Sequence, residues 1–330
     1  MGRARKLLRS KALRLLAVLV VIVYLMNTSL LAPKPDGPPQ LLAHRGLAQT
    51  FPMEGIGNDT CTAERIYPPE HPYLENTLAS MEAAFEAGAG MVEFDVHWTK
   101  DDQFAVFHDW TLDCRTDLKG VTRDYTMAEL KKADIGYGYT ADEGRTYPFR
   151  GKGIGLMPTL TEVLDRFPDR YLLLHIKSND PREGERLASI LAELPAGRRE
   201  KLTVYGGDQP VAELKKKLPS LRVMSKETLK GCLLSYLAVG WTGYMPEACR
   251  HTQLQLPEKL APLLWGWPYQ FLNRMERADT RVIVVGGDGS EFSSGFDTPE
   301  DLKRLPDGFT GWIWTNRIDR VAKAVLPDTP

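Results

Sequence analysis

The sequence predicts an α/β chain folded as a (β/α)8 barrel behind an N-terminal transmembrane or signal segment. Three observations carry this prediction. Short apolar runs, about eight of them, alternate with amphipathic helical stretches over the last ~290 residues, as parallel strands joined by crossover helices require. Several runs end in charged residues, which is how a barrel presents groups at its carboxyl rim. No G-x-G-x-x-G follows a strand, which argues against the runner-up, a doubly wound open sheet.

The N-terminus divides by composition. Residues 1–14 form a basic head with Arg3, Arg5, Lys6, Arg9, Lys11 and Arg14. These contribute +6, so the formal net charge of −1 leaves −7 for the remainder. An acidic body without a basic stripe excludes nucleic acid as the expected partner. Residues 15–32 contain the apolar run Leu15–Met26, then Asn27-Thr-Ser29 and Leu30-Leu-Ala32. Bulky Leu30 and the following Pro33 make a poor cleavage site, so an uncleaved single-pass anchor is favoured over a signal peptide. The positive-inside rule then keeps the head in the cytoplasm and exports the body, to the membrane face or, if the segment is cleaved, as a secreted protein. Residues 33–39, Pro-rich, read as a stiff tether, and residues 40–330 as the barrel domain.

Leu41-Leu-Ala-His-Arg-Gly46 opens the domain as a buried strand running into a polar triplet. Residues 47–73 are too long for an ordinary loop and read as an insertion or lid, carrying Cys61 and the sequon Asn58-Asp-Thr60. Glu75 precedes a helix capped by Asn76 or Thr77, with Leu78, Met81 and Phe85 on one face and Gly88 closing it. Met91-Val-Glu-Phe-Asp-Val-His-Trp98 is a period-2 strand with Glu93 and Asp95 on one face. A turn leads to Phe104–Phe107 and then His108-Asp109. Taken alone, that pair of carboxylates also fits a solvated acidic face. Thr159 or Thr161 caps a helix through Phe167, and Tyr171–Ser178 is a strand with His175 and Lys177 on one face.

Further on, helices are expected at Glu183–Leu194, Val211–Leu218 and Leu229–Val239, and a Trp-rich helix at Pro257–Met275. Strands are expected at Lys201–Tyr205, Arg222–Ser225, Thr280–Gly286 and Gly311–Asn316, while Gly240–Leu256 yields no assignable strand. Trp265, Trp267, Tyr269 and Phe271 suit core packing better than a lipid-facing edge. His97 reads as structural. Cys61, Cys114, Cys232 and Cys249 match no zinc spacing, and three disulfide pairings or buried thiols are open to them.

On the barrel reading, strand ends bring His44, Arg45, Glu93, Asp95, His175 and Lys177 to one rim, with His108 from a turn and Glu75 from a helix start. Two imidazoles, several carboxylates and two cations suit phosphate-ester cleavage, which needs acid and base, a divalent ion and charge on the phosphoryl oxygens.

His44-Arg-Gly, Glu75-Asn-Thr, Glu93-Phe-Asp-Val, His108-Asp-Trp-Thr-Leu-Asp and Pro158-Thr-Leu-Thr-Glu-Val-Leu resemble, in order, the glycerophosphodiester phosphodiesterase family, strongly over residues 41–180. The resemblance implies a TIM barrel with His44 and His108 as the acid/base pair, Arg45 and Lys177 on the phosphate, and Glu75, Glu93 and Asp95 at a metal. The family's next strand carries Glu-x-Lys, whereas this chain has His175-Ile-Lys177, making His175 a fourth, provisional ligand. The oxygen set suits Mg2+ or Ca2+; an imidazole donor weighs against Ca2+ and admits Mn2+ or Zn2+. The family's Thr-Asp near the last strand is replaced by Trp314-Thr-Asn-Arg317, which puts its substrate contacts there in doubt. Cys114, directly after the His108 segment, is paired with Cys61 over the mouth, and Cys232 with Cys249.

The resemblance implies hydrolysis of glycerophosphodiesters to sn-glycerol 3-phosphate and an alcohol. The alternatives are a lysophospholipase D-like or phospholipid headgroup hydrolase, and a non-catalytic phosphate- or lipid-binding module. The expected partners are such a substrate and, through the N-terminal segment, a membrane. The sequence sets no oligomeric state.

Overall fold

The computed structural model describes residues 2–34, 36–57, 60–290 and 294–326, without the side chains of residues 2–10; the sequon's Asn58 and the head's side chains up to Arg9 thus lie outside the described residues. In chain order the elements are α1 (Gly2–Asn27), β1 (Gln40–His44), α2 (Leu78–Glu86), β2 (Met91–Trp98), β3 (Phe104–Val106), α3 (Met127–Leu130), α4 (Leu160–Arg166) and β4 (Tyr171–Ile176). There follow α5 (Pro181–Ala192), α6 (Ala196–Arg199), β5 (Leu202–Gly206), α7 (Asp208–Lys217), β6 (Arg222–Ser225), α8 (Lys226–Val239), β7 (Gln253–Pro257), α9 (Tyr269–Arg277), β8 (Arg281–Val285), β9 (Trp312–Thr315) and α10 (Ile318–Val325).

The strand order is β6-β5-β4-β2-β1-β9-β8-β7, all parallel, with β3 antiparallel on β2. Val223 of β6 bridges Thr252 beside β7, and Thr252 Oγ1 donates to the Val223 carbonyl at 2.8 Å, nearly closing the barrel. Alternate strand residues face opposite sides. One set, including Ala43, Val92, Phe94, Leu174 and Val204, packs against the helices in the main core. The other fills the barrel, where Leu42, Met91, Leu173, Ile283 and Trp314 form a separate apolar plug. Glu93 and Asp95 follow Met91 on that inward face, above the plug at the carboxyl end.

The helix starts are written locally. Thr77, Thr159 and Ser225 each accept from the third residue of their helix and complete capping boxes with Ser80, Glu162 and Thr228. The Gly240–Leu256 sector does hold a strand, β7, masked because its inward positions are Gln253 and Gln255. The expected helix at Pro257–Met275 is shorter. Pro257 ends β7, Ala261–Leu263 form a 3-10 turn, Gly266 adopts positive φ, and the α-helix is Tyr269–Arg277. Its Phe271 and Tyr269 are buried as core, whereas Trp265 is exposed.

Both expected disulfides are present, Cys61–Cys114 and Cys232–Cys249.

The expected transmembrane span finds no support in the structure. Among the described residues no helix is long and apolar enough to cross a membrane. α1 stops at Asn27, whose amide donates at 2.8 Å both to Val23 in its own last turn and to the Trp241 carbonyl on the barrel. Leu30–Ala32 therefore do not extend it. The apolar run Leu15–Met26 alone spans ~18 Å at ~1.5 Å per residue, short of a ~30 Å hydrocarbon core. The tether does not hang free at its start: Asn273 of α9 donates to the Pro33 carbonyl at 3.0 Å.

Candidate active site

β1 delivers His44 to the carboxyl rim, and the chain then turns sharply. Arg45 (φ 59°) and Gly46 (φ 80°) are both left-handed. A Cβ on Gly46 would lie 2.6–2.8 Å from Ser80 atoms at the start of α2, so the turn needs glycine for conformation and for space. Gly46→Ala is expected to destabilise the fold by about 3 kcal/mol, combining backbone strain and a clash, read as a lower urea midpoint.

Sheet register builds the acidic centre. His44 lies beside Glu93, and Asp95, His175 and Tyr205 form a row across β2, β4 and β5. One ligand atom each from Glu93, Asp95 and His175 lie within 4.8 Å of one another. Both carboxylates are buried. His175 Nδ1 is 2.8 Å from Asp95 Oδ1, and its ring stacks on Tyr205 at 4.2 Å. The Tyr205 hydroxyl donates to Glu93 Oε1 at 2.7 Å. Asn76, itself left-handed at φ 59°, clamps Asp95: its side-chain amide donates to Oδ2 and its carbonyl accepts from the Asp95 backbone, both at 3.1 Å.

The charges are uneven. Burial and the neighbouring Asp95 raise the proton affinity of Glu93. Burial would also raise Asp95, but Lys177, His108 and Arg45 more than offset it and hold that carboxyl well below its usual range. Lys177 Nζ lies 3.5 Å from Asp95 Oδ1 and Arg45 Nε 3.4 Å from Oδ2. Burial lowers the His175 imidazole to about 4, leaving it neutral and able to donate a lone pair.

The two other histidines are held by their Nδ1 atoms. Arg45 Nε donates to His44 Nε2 at 3.1 Å, so the ring proton is on Nδ1, which donates to Asn316 Oδ1 at 2.6 Å. The Asn316 amide in turn donates to Asp297 at 2.9 Å. Burial and the adjacent Arg45 push His44 well below its ordinary value, and His108 adds to the depression. His108 Nδ1 faces the Asp109 carboxylate at 2.7 Å. Burial and Arg45 lower His108 too, but Asp95 and Asp109 oppose them. His97 accepts the structural reading: buried, it contacts the His108 carbonyl at 3.3 Å.

Behind this pair sits Arg115, one of the largest fully buried side chains. Its guanidinium binds Asp109 at 2.9 Å, Glu75 at 3.1 Å, the Tyr139 hydroxyl at 2.7 Å and Thr62 at 2.6 Å. Arg115 and Thr62 are the chain neighbours of Cys114 and Cys61, so the disulfide fastens the insertion to the base of His108. Glu75 stands apart from the Glu93–Asp95–His175 group, bridging Arg45 at 3.0 Å and Arg115 at 3.1 Å. Arg115→Met strands two buried carboxylates and is expected to cost about 3–5 kcal/mol, measured by chemical denaturation.

The site opens into a cavity of about 390 Å3 lined by His44, Arg45 and Glu75 on one side and by Phe51, Met53 and Tyr67 of the insertion on the other. All of the sequence-nominated residues thus stand at one end of the barrel. Sequence reasoning missed Asn316, Asp297, Tyr205, Asp109 and Arg115 as site residues. Asp109 had a signal, being adjacent to His108, and Arg115 follows it by six residues; Asn316, Asp297 and Tyr205 sit far away in sequence and are joined only by the fold.

Fold and cluster together define a parallel barrel whose carboxyl rim gathers two histidines, the cations Arg45 and Lys177, and a Glu93–Asp95–His175 group that could hold an ion. Residues 44–219 match the model of the glycerophosphoryl diester phosphodiesterase family, and the chain belongs to this family of phosphoric diester hydrolases. It is 31% identical over 154 residues to a glycerophosphodiester phosphodiesterase of Caldanaerobacter subterraneus (45% of this chain, 59% of that one). It is 37% identical over 118 residues to one of Bacillus subtilis (35% and 37%). A human lysophospholipase D is 29% identical over 187 residues (56% and 52%). The matches span between roughly a third and three fifths of these relatives' lengths. Among solved structures, a glycerophosphodiester phosphodiesterase of Agrobacterium tumefaciens superposes with a TM-score of 0.58 at 18% identity, covering 87% of this chain and 98% of that one. An Oleispira antarctica phosphodiesterase in complex with the product sn-glycerol-3-phosphate superposes at 0.53, with 19% identity and coverage of 87% and 97%. These likenesses establish the barrel fold.

Proposed function

We propose that the protein is a metal-dependent phosphodiesterase that hydrolyses glycerophosphodiesters to sn-glycerol 3-phosphate and an alcohol. The observation that carries this reading is the pairing of two Nδ1-anchored histidines with a Glu93–Asp95–His175 group and the adjoining cations Arg45 and Lys177. The donor set fits a divalent ion. Two carboxylates are buried side by side, and the raised proton affinity of Glu93 reports negative charge that a cation would satisfy. Such an ion, held by Glu93, Asp95 and His175, would polarise the phosphoryl oxygens.

Arg45 and Lys177 orient the phosphate and offset its charge. As Arg45 turns to the phosphate it releases His44 Nε2, which takes a proton from the attacking water while the new O–P bond forms. His44 is backed by a neutral amide and yields the base. His108 is backed by a carboxylate that stabilises its imidazolium; it passes a proton from Nε2 to the alcohol oxygen as the old P–O bond breaks. Glu75 holds Arg45 in place rather than binding the ion.

A lysophospholipid is the second substrate reading, supported by the likeness to the human lysophospholipase D and by the apolar wall of Phe51, Met53 and Tyr67. The test is release of sn-glycerol 3-phosphate from glycerophosphocholine beside choline release from lysophosphatidylcholine, with Mg2+, Ca2+ or Mn2+ and with chelator. Chelator-sensitive turnover supports the proposal, and the ratio of rates assigns the substrate. Absence of turnover on either substrate while the cation is bound would leave a binding module.

A further inference from the structure

One side of the barrel exposes far more apolar surface than the rest. Outside α1 and the turn that follows it, seven of the thirteen exposed large apolar side chains among the described residues lie between Leu234 and Trp265. They come from two neighbouring elements. Leu234 and Leu237, three apart on α8, point away from the helix face that buries Cys232 and Tyr236. Leu263, 69% exposed, and Trp265 belong to the connection after β7, and the Trp265 indole donates to the Leu237 carbonyl at 2.9 Å, joining the two halves. A patch of this kind on a soluble surface marks a docking site.

α1 is bolted to the same side. Asn27 donates to the Trp241 carbonyl at 2.8 Å, Arg274 to the Met26 carbonyl at 2.8 Å, and Ser29 to the Gly266 carbonyl at 3.1 Å. Beyond this joint the helix projects with its apolar side chains exposed on every face, from Leu13 to Met26. A helix apolar all round is stable only when apolar matter surrounds it. A second copy of the chain would cover one flank of the helix; a hydrocarbon layer covers all flanks and the adjoining platform together. At the far end of the run stand Lys11 and Arg14, and before them the other cations of the head, a charge that suits anionic headgroups.

We propose that this side of the barrel, from Leu234 to Trp265, docks on a lipid bilayer with α1 as its inserted extension. The inference does not rest on the proposed activity. The ~18 Å apolar run lies along the acyl boundary of one leaflet, with Lys11 and Arg14 reaching its headgroups, and the Leu234–Trp265 platform rests on the same interface, where Trp and Tyr side chains are favoured.

The test uses the full chain bound to vesicles of phosphatidylcholine and phosphatidylglycerol. All four cysteines are paired, so one introduced thiol can be labelled selectively with an environment-sensitive fluorophore. Leu234→Cys and Leu263→Cys probe the platform. Ile154→Cys, an exposed site on the segment packed by β3, is the control, because β2 and β3 lie four strands from β7 either way round the barrel. The expected result is a blue shift and quenching by nitroxide-labelled lipid at positions 234 and 263, with position 154 quenched only by aqueous iodide. Equal iodide quenching at all three positions on vesicle-bound protein would overturn the proposal. So would a blue shift at 234 and 263 that appears without vesicles and grows with protein concentration, which identifies a second copy as the occupant.

Discussion

His44→Ala lowers turnover of glycerophosphocholine by about 10³-fold, and no change of leaving group restores it; His108→Ala loses about as much on this substrate but recovers to within about tenfold of wild type on an aryl phosphodiester. This is the expected result if the two imidazoles divide the work as their anchors suggest. His44 holds its ring proton toward neutral Asn316 and keeps a lone pair at Nε2. His108 leans on Asp109, itself held by Arg115, and so carries a proton more readily. An aryl oxide leaves without protonation and needs no acid. Steady-state kinetics of both variants on both substrates measure this directly. The reverse pattern, with His44→Ala rescued, would exchange the roles, and rescue of neither would remove acid catalysis from His108.

The two carboxylates are expected to separate in stability although both would hold the proposed ion. With chelator present, Glu93→Gln keeps the wild-type denaturation midpoint, because the burial and repulsion that raise its proton affinity make an uncharged side chain acceptable there. Asp95→Asn loses about 3 kcal/mol under the same conditions, since it removes the partner of Lys177, Arg45 and His175 and leaves those groups facing one another in a buried site. With saturating cation, wild type gains stability and both variants gain far less, as loss of a ligand weakens binding. Calorimetric titration of each variant with Mn2+ and urea denaturation with and without it provide the check. A Glu93→Gln protein that is as unstable as Asp95→Asn in chelator would mean that Glu93 is ionised and held by its neighbours.

Much of this site was legible before any coordinates. Period-2 spacing put Glu93 and Asp95 on one face of β2, and the strand-then-charge pattern put His44 and Lys177 at a rim, because alternation along a strand is a local property. The helix caps Thr77 and Thr159 were readable for the same reason. Local rules failed where polar residues faced the barrel interior. Gln253 and Gln255 hid β7, and a string of prolines and aromatic residues after it passed for helix. They also did not place the end of α1, since the stop at Asn27 is held by Trp241 and Arg274, which are remote in sequence.

The sequence by itself determined the barrel, most of its strands and helices, and the identities of the groups that meet at the rim, since periodicity and strand-end chemistry are written residue by residue. Only the tertiary structure decided what stands behind those groups: Asn316 behind His44, Arg115 behind both Asp109 and Glu75, Tyr205 behind Glu93. Arg115 is placed by the loops folded over the rim, whereas Asn316 and Tyr205 are chosen by inter-strand register and by the closure of the barrel, which bring together residues more than a hundred positions apart, as with Tyr205 and Glu93 at a separation of 112. No local pattern encodes that distance.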